Sequence, residues 1–239
     1  TPNYDAASID ALTQRLSDDD AQVVGWAAYG LGYACKGRED ATVKALAARA
    51  AGLVVGPKKE SVAEPRDAID PRLALARAMG RCASAQSEDV LVGLAQRGGE
   101  WTVPALTGLG DLAVRRKSLG PIAMTTLLDA SKQSEIAFYG LSRAEVTEAF
   151  KSRVADAARE ALNRPSDARV LVIRALGRSG KDAVPDLVKV VGDGKTYNVG
   201  ERAEAARALG TIGDGVSDAL LAITPDAKDA VAIPRVVGS

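Results

Sequence analysis

Histidine is absent from this 239-residue chain. Its absence removes the commonest general base and the commonest zinc ligand, and with them any Ser-His-Asp triad. Aromatic residues make up only 4% while 46% of the chain is apolar. The apolar content is therefore mostly Ala, Leu and Val, which suits close helix packing better than a β-sandwich. The two cysteines, Cys35 and Cys82, are too few for a disulfide framework and too far apart for a CxxC site. No excess of charge exists either: 31 basic residues face 31 acidic ones, and the balance holds on both sides of residue 120. A nucleic-acid binder needs a basic face that neutralises phosphates, so none is expected as a partner. No run approaches the ~18 apolar residues of a membrane span. The chain opens on Thr1 rather than Met. The expectation is that an initiator and any targeting segment have already gone, so a missing leader does not argue for the cytoplasm.

What is there is a repeated phrase. "EAARALGTIGD" (204–214) and "VIRALGRSGKD" (172–182) nearly coincide. Alignment on the small residue after Leu or Met gives six anchors: Gly32, Gly80, Gly110, Ser142, Gly177 and Gly210. They are spaced by 48, 30, 32, 35 and 33 residues. A period in the thirties without β-branched alternation predicts an all-α fold, a right-handed α-solenoid of about six helical hairpins in one domain spanning 1–239. One residue before the anchors stand Leu31, Met79, Leu109, Leu141, Leu176 and Leu209. Four before stand Ala28, Ala76, Leu106, Phe138, Ile173 and Ala206. Positions three apart share a helix face, so these columns form an apolar stripe. Two before the anchor the residue is always Gly or Ala, which permits close helix approach. The glycine after Leu is expected to end the helix in a left-handed conformation.

A second amphipathic run follows each anchor, at 41–55, 88–98, 121–131, 145–164 and 182–193. Pro121 and Pro185 fit first-turn positions, and Asp18, Asp70 and Asp167 are candidate N-caps. "TVPAL" (102–106) fits the start of a first or a second helix. The stretch 56–70 reads as a surface insert that accounts for the 48-residue gap, and 224–239 as a tail leading to a linker or strand.

The phrases "DARVLVIRALGRSGKDAVPDLVKVV" (167–191), "RAEAARALGTIGD" and "DDDAQVVGWAAYGLG" resemble HEAT repeats of the short bacterial type found in phycobilisome-lyase-like proteins. That resemblance implies a non-catalytic scaffold for a protein or peptide partner. "WAAYGLGYACKGRE" (26–39) and "ARAMGRCAS" (76–84) also resemble the helical part of bacterial cyclophilin-type peptidyl-prolyl isomerases. This second resemblance implies the alternative of an accessory segment of a larger enzyme. No isomerase catalytic sequence accompanies it.

Motifs of chemistry are few. "GDGKT" (192–196) lacks the glycine a phosphate loop needs five residues before Gly194, where Lys189 stands. It reads as an inter-repeat turn in which Gly192 and Gly194 supply positive φ. "GLGYACKG" (30–37) falls inside a repeat helix without a leading strand. No GxSxG or HExxH is present. The chain is therefore expected to be no enzyme, with no cofactor and no metal.

One column offers a binding face. Three residues before and one after the anchors lie opposite the apolar stripe, and they include Tyr29, Tyr33, Arg77, Arg81, Tyr139, Arg143, Arg174 and Arg178. Tyr and Arg are enriched in binding hot spots. The competing reading pairs each Arg with a carboxylate on a solvated face. Trp26 is expected in the core or at a cap. Cys35 and Cys82 follow successive anchors, at a level where helix ends can bring them together as a disulfide or leave them as two buried thiols. A bridge favours a periplasmic or envelope location, and free thiols the cytoplasm.

Overall fold

The computed structural model describes residues 4–53, 68–213 and Val216. The predicted insert lies outside the described residues except for 68–70, as does the whole tail. Twelve α-helices occur among the described residues, with no strand: α1 (Ala6–Arg15), α2 (Ala21–Ala34), α3 (Glu39–Gly52), α4 (Pro71–Cys82), α5 (Ser87–Arg97), α6 (Thr102–Arg116), α7 (Pro121–Ala130), α8 (Ala137–Leu141), α9 (Glu148–Leu162), α10 (Arg169–Gly177), α11 (Val184–Gly192) and α12 (Val199–Ile212). Two 3-10 turns, Gly99–Trp101 and Gly180–Ala183, lead into α6 and α11. First helices of the repeats are α2, α4, α6, α8, α10 and α12. "TVPAL" belongs to α6, a first helix, and α1 is an additional helix before the first repeat.

The chain divides into two compact units, Thr1–Thr126 and Leu127–Ser239. In the first, α4 packs between α2 and α6, with α1 against α2, α3 against α4, and α5 against α6. In the second, α10 packs against α8, α9 and α12, and α11 against α12.

The stripe forms the core of both units. Leu31, Met79, Leu109, Leu141, Leu176 and Leu209 are all fully buried, and so is every residue of the column three positions earlier. Burial of each Leu, Ile, Met or Phe among them contributes about 1.5–3 kcal/mol, and each alanine less.

The anchor glycines do something other than the sequence predicts. Gly32, Gly80, Gly110, Gly177 and Gly210 all lie within helices, and none has a positive φ. A Cβ on Gly32 would lie 2.9 Å from Cα of Ala78, and one on Gly177 2.6 Å from Cβ of Ala208. A Cβ on Gly80 would run into the carbonyl oxygen of Gly108. The glycine thus lets neighbouring first helices touch backbone to backbone. Left-handed residues come later, at Ala83, Lys117, Gly180 and Gly213.

Two of the three predicted N-caps also move. Asp70 caps α4 by accepting from the Arg72 amide at 2.9 Å. For α2 the cap is Asp20, which accepts from the Gln22 amide at 2.7 Å, while Asp18 accepts from the Asp20 amide. Before α10 the side chain that turns the chain is Ser166, whose Oγ accepts from the Ala168 amide, rather than Asp167. Asn198 and Glu201 form a reciprocal capping box on α12. Neither Gly192 nor Gly194 has a positive φ. Instead Asp193 shapes the "GDGKT" turn by accepting from the Lys195 and Thr196 amides at 3.1 and 3.0 Å.

Helix C-termini are closed by arginines about one repeat away in sequence. Arg115 and Arg116 donate to carbonyls of Arg81 and Ala83 at the end of α4, and Arg164 to that of Lys132 after α7. Arg178 reaches the Ser142 carbonyl after α8, at 3.3 Å. The last carbonyls of a helix lack partners within it, and a guanidinium satisfies them while complementing the helix dipole.

The packing fixes the sign of two glycine substitutions. Gly80→Ala must displace backbone and should destabilise by about 1–3 kcal/mol. Gly93→Ala, on α5 with nothing within 4 Å of the added carbon, should stabilise by roughly 0.5–1 kcal/mol. Leu176→Ala and Leu209→Ala should each cost about 2–5 kcal/mol. Urea unfolding of the four variants checks all the signs, and equal effects at Gly80 and Gly93 would contradict the close contact.

Candidate interaction surface

The predicted Tyr and Arg residues fall into two sets, one in each unit. Tyr29 and Tyr33 on α2, with Arg77 and Arg81 on α4, are in the first unit. Tyr139, Arg143, Arg174 and Arg178 are in the second.

In the first unit α2 presents Trp26, Tyr29 and Tyr33 to solvent, and they are 50%, 41% and 47% exposed. The spacing of three and then four residues puts all three rings on one face. Trp26 meets Tyr29 edge-on at 5.8 Å between ring centroids, and Tyr29 lies 5.1 Å from Tyr33. The expectation that Trp26 belongs to the core is overturned, because the residues of α2 that face the core are Val24, Ala27, Ala28 and Leu31. Arg81 reaches across from α4. Its guanidinium stands 4.5 Å from the Tyr33 ring centre and 5.5 Å from that of Tyr29, within cation–π range. Proximity to Tyr33 raises the pKa of the Tyr29 phenol above its ordinary value, against the opposite pull of Arg81 and Arg77.

Beneath this face lies Asp111 of α6, only 6% exposed. Arg77 Nε donates to it at 2.8 Å and Arg81 Nε stands 3.7 Å away. A buried carboxylate is tolerated only with such partners. Rings, guanidinia and carboxylate thus form one layered contact across α2, α4 and α6. Directly beside it, Cys35 and Cys82 are joined as a disulfide with Cα atoms 5.7 Å apart. It ties the C-terminal end of α2 to that of α4, two residues after Tyr33 and one after Arg81.

The second unit uses its column differently. Arg174 forms a two-pronged ion pair with Glu204 of α12, at 2.7 and 3.0 Å, and Arg207 closes on the same carboxylate. Burial pushes the Glu204 carboxyl up, but hydrogen bonds and charge from Arg174 and Arg207 outweigh it, so its pKa is lowered overall. Arg178 is engaged with the Ser142 carbonyl. Tyr139 is half-buried on α8. Here the competing sequence reading, arginines satisfied by neighbours, describes Arg174. Asp111 and Glu204 are the residues that decide the outcome in each unit, and sequence reasoning did not single them out. The signal was available as a carboxylate on the next first helix, about one repeat on from each arginine. Among the described residues no group of His, Cys, Asp or Glu could hold a metal ion, and no helix is long and apolar enough to cross a membrane.

Two predictions follow from these contacts. Without reductant the protein should show no titratable thiol, and Cys35→Ser with Cys82→Ser should cost about 4 kcal/mol by the loop-entropy argument for a 47-residue separation. Glu204 has a lowered folded pKa, so its stabilisation is complete above the unfolded value of about 4.3 and is lost as pH falls through the folded one. The stability of Glu204→Gln should accordingly be lower at neutral pH and flatter in acid than that of the wild type, as read from urea midpoints across pH.

Residues 201–232 match the PBS lyase HEAT-like repeat family. No curated protein matches the sequence. Among solved structures, the complex of CpcE and CpcF of phycocyanin lyase from Nostoc sp. PCC7120 contains a chain with 16% identity and a TM-score of 0.55. The match covers 100% of this chain and 96% of that one. Human deoxyhypusine hydroxylase in complex with glycerol is 21% identical with a TM-score of 0.37, over 99% and 86% of the two chains. A score so low carries no fold argument. The expectation that this chain is no enzyme gains no support from a neighbour that belongs to a lyase. The repeat match and the shared fold support a HEAT-repeat α-solenoid, all-helical among the described residues.

Proposed function

We propose that the chain is a helical-repeat binding protein that holds a protein partner on the exposed face of α2 and α4. The observation that carries this reading is the cluster of Trp26, Tyr29 and Tyr33, all open to solvent, with Arg81 over the two tyrosine rings. Large rings on one face are the side chains most enriched at binding hot spots, and exposed together they leave an apolar patch uncovered. The arginines beneath are already ordered by Asp111 and the rings, so a partner meets a surface whose side chains have lost little further freedom to binding.

A second reading follows from the fold neighbour, whose solved form is a complex of two chains of a phycocyanin lyase. In that reading the partner is another subunit and the assembly is an enzyme. Both readings require the face to be covered in the complex. The Cys35–Cys82 bridge favours an oxidising compartment such as a periplasm for either.

A photo-crosslinking residue placed at Tyr29 tests the docking face in cells of the source organism. The expected outcome is one dominant crosslinked protein, lost when Trp26→Ala and Tyr33→Ala are combined. Equal capture by a crosslinker at Gly93, on α5, would refute the assignment. A captured chain of the same repeat type would select the second reading.

A further inference from the structure

We infer that the C-terminal unit binds the phosphate group of a small molecule, in the groove beside the turn from α10 to α11. The site shares no residue with the docking face of α2 and α4 and goes beyond that reading. The turn runs Gly177-Arg178-Ser179-Gly180-Lys181. Beside it, between the start of α9 and the end of α12, lies a groove of about 530 Å³. A volume of that order holds a whole small ligand. Three cations line it: Lys151 of α9, Arg178 and Lys181. A Cβ on Gly180 would lie 3.6 Å from Lys151 Nζ, so that ammonium stands over the turn. Arg178 gives its Nε to the Ser142 carbonyl at 3.3 Å, which leaves the two terminal nitrogens of its fork. Two carboxylates, Glu148 and Asp182, also line the groove. Glu148 pairs with Lys151, but its side chain is 87% exposed, and a pair so open to water holds its lysine weakly.

The turn supplies an independent sign. Ser179 lines the groove, yet it is only 1% exposed and its Oγ has no hydrogen-bond partner. Buried hydroxyls are nearly always bonded, so an orphan in the wall of a basic groove is a donor kept for a ligand. Ser179 itself is right-handed, at φ −76° and ψ −8°, and Gly180 has φ +78°. That alternation turns successive backbone N–H groups toward one side, an arrangement that receives anions. The repeat does not ask for this turn, since Arg81-Cys82-Ala83 follows Gly80 and Asp111-Leu112-Ala113 follows Gly110. Phosphate suits the donor set better than a carboxylate does. Its three acceptor oxygens and charge of about −1.5 to −2 can meet ammonium, guanidinium and hydroxyl together. A carboxylate has two oxygens in one plane and a single charge.

The test follows amide shifts of the 15N-labelled full chain with inorganic phosphate and with phenyl phosphate, at constant ionic strength. The shifts should saturate at millimolar ligand and concentrate on Lys151, on the turn at Arg178, Ser179, Gly180 and Lys181, and on Thr211. Lys151→Gln with Lys181→Gln should weaken binding about tenfold, as the loss of charge-assisted contacts does. Ser179→Ala should weaken it about threefold, the order of one hydrogen bond. Without phosphate the same variant should raise the urea midpoint, because it removes a buried hydroxyl that has no partner. A serine that only packs would leave phosphate affinity unchanged. Asp182→Asn should tighten binding by removing an opposing charge, and Lys195→Gln, in "GDGKT", should change nothing. Tighter binding of phenyl phosphate assigns a monoester as the ligand, and equal or weaker binding assigns free phosphate; the site stands in both cases. Shifts scattered over lysines and arginines elsewhere, no saturation at tens of millimolar, or unchanged affinity in the double lysine variant or in Ser179→Ala would each overturn the inference.

Discussion

Backbone contact between successive first helices is the constraint on which the rest of this structure depends. An anchor glycine on one first helix meets the small residue two before the anchor on the next, so Gly32 meets Ala78, Gly80 meets Gly108 and Gly177 meets Ala208 with no large side chain between them. With the first helices that close, the Leu and Met column is fully buried, close-packed on every side. Larger residues at the contact would separate the helices and open voids beside six leucine-type side chains at once. The core is therefore set by the smallest residues in it.

Close packing creates a second demand that the arginines meet. A short hairpin repeat ends two helices every thirty-odd residues, so unpaired C-terminal carbonyls recur at the same frequency. Glycine caps supply part of the answer at Gly98 after α5 and Gly213 after α12. Guanidinia from a neighbouring helix supply the rest, as Arg116 does after α4 and Arg164 after α7. These bonds join one repeat to the next, so they close helix ends and fix the stacking together. Many of the arginines in a neutral chain are thereby committed to structure, and an arginine column alone is a poor sign of a binding site.

The fold was legible because its signal is collective. Six anchors with two apolar columns fix helix phase independently of any single residue, and all twelve of those apolar residues are fully buried. Local chemistry was less legible. The anchor glycines read as helix terminators because Leu-Gly resembles a cap, yet the demand they meet comes from the first helix of the next repeat, as Gly80 meets Gly108. Asp18 and Asp20 stand two positions apart and both suit a cap; backbone geometry at the helix start chooses Asp20. Trp26 was misplaced by its apolarity alone. Its phase, two residues after Val24 and two before Ala28, already put it off the buried stripe.

The same column has opposite outcomes in the two units, and the reason lies in one neighbour. Arg174 faces Glu204, which also accepts from Arg207, so two cations share a carboxylate and the α12 face adds Glu201. Arg77 and Arg81 share Asp111, but α2 supplies rings where α12 supplies acids. Since the stripe and the small column hold the repeats together, the outward positions are free to vary without disturbing the core. One unit uses that freedom to close its charges, the other to expose aromatic rings. The disulfide stands next to the second arrangement and joins the C-terminal ends of the two helices, α2 and α4, that carry the rings and Arg81.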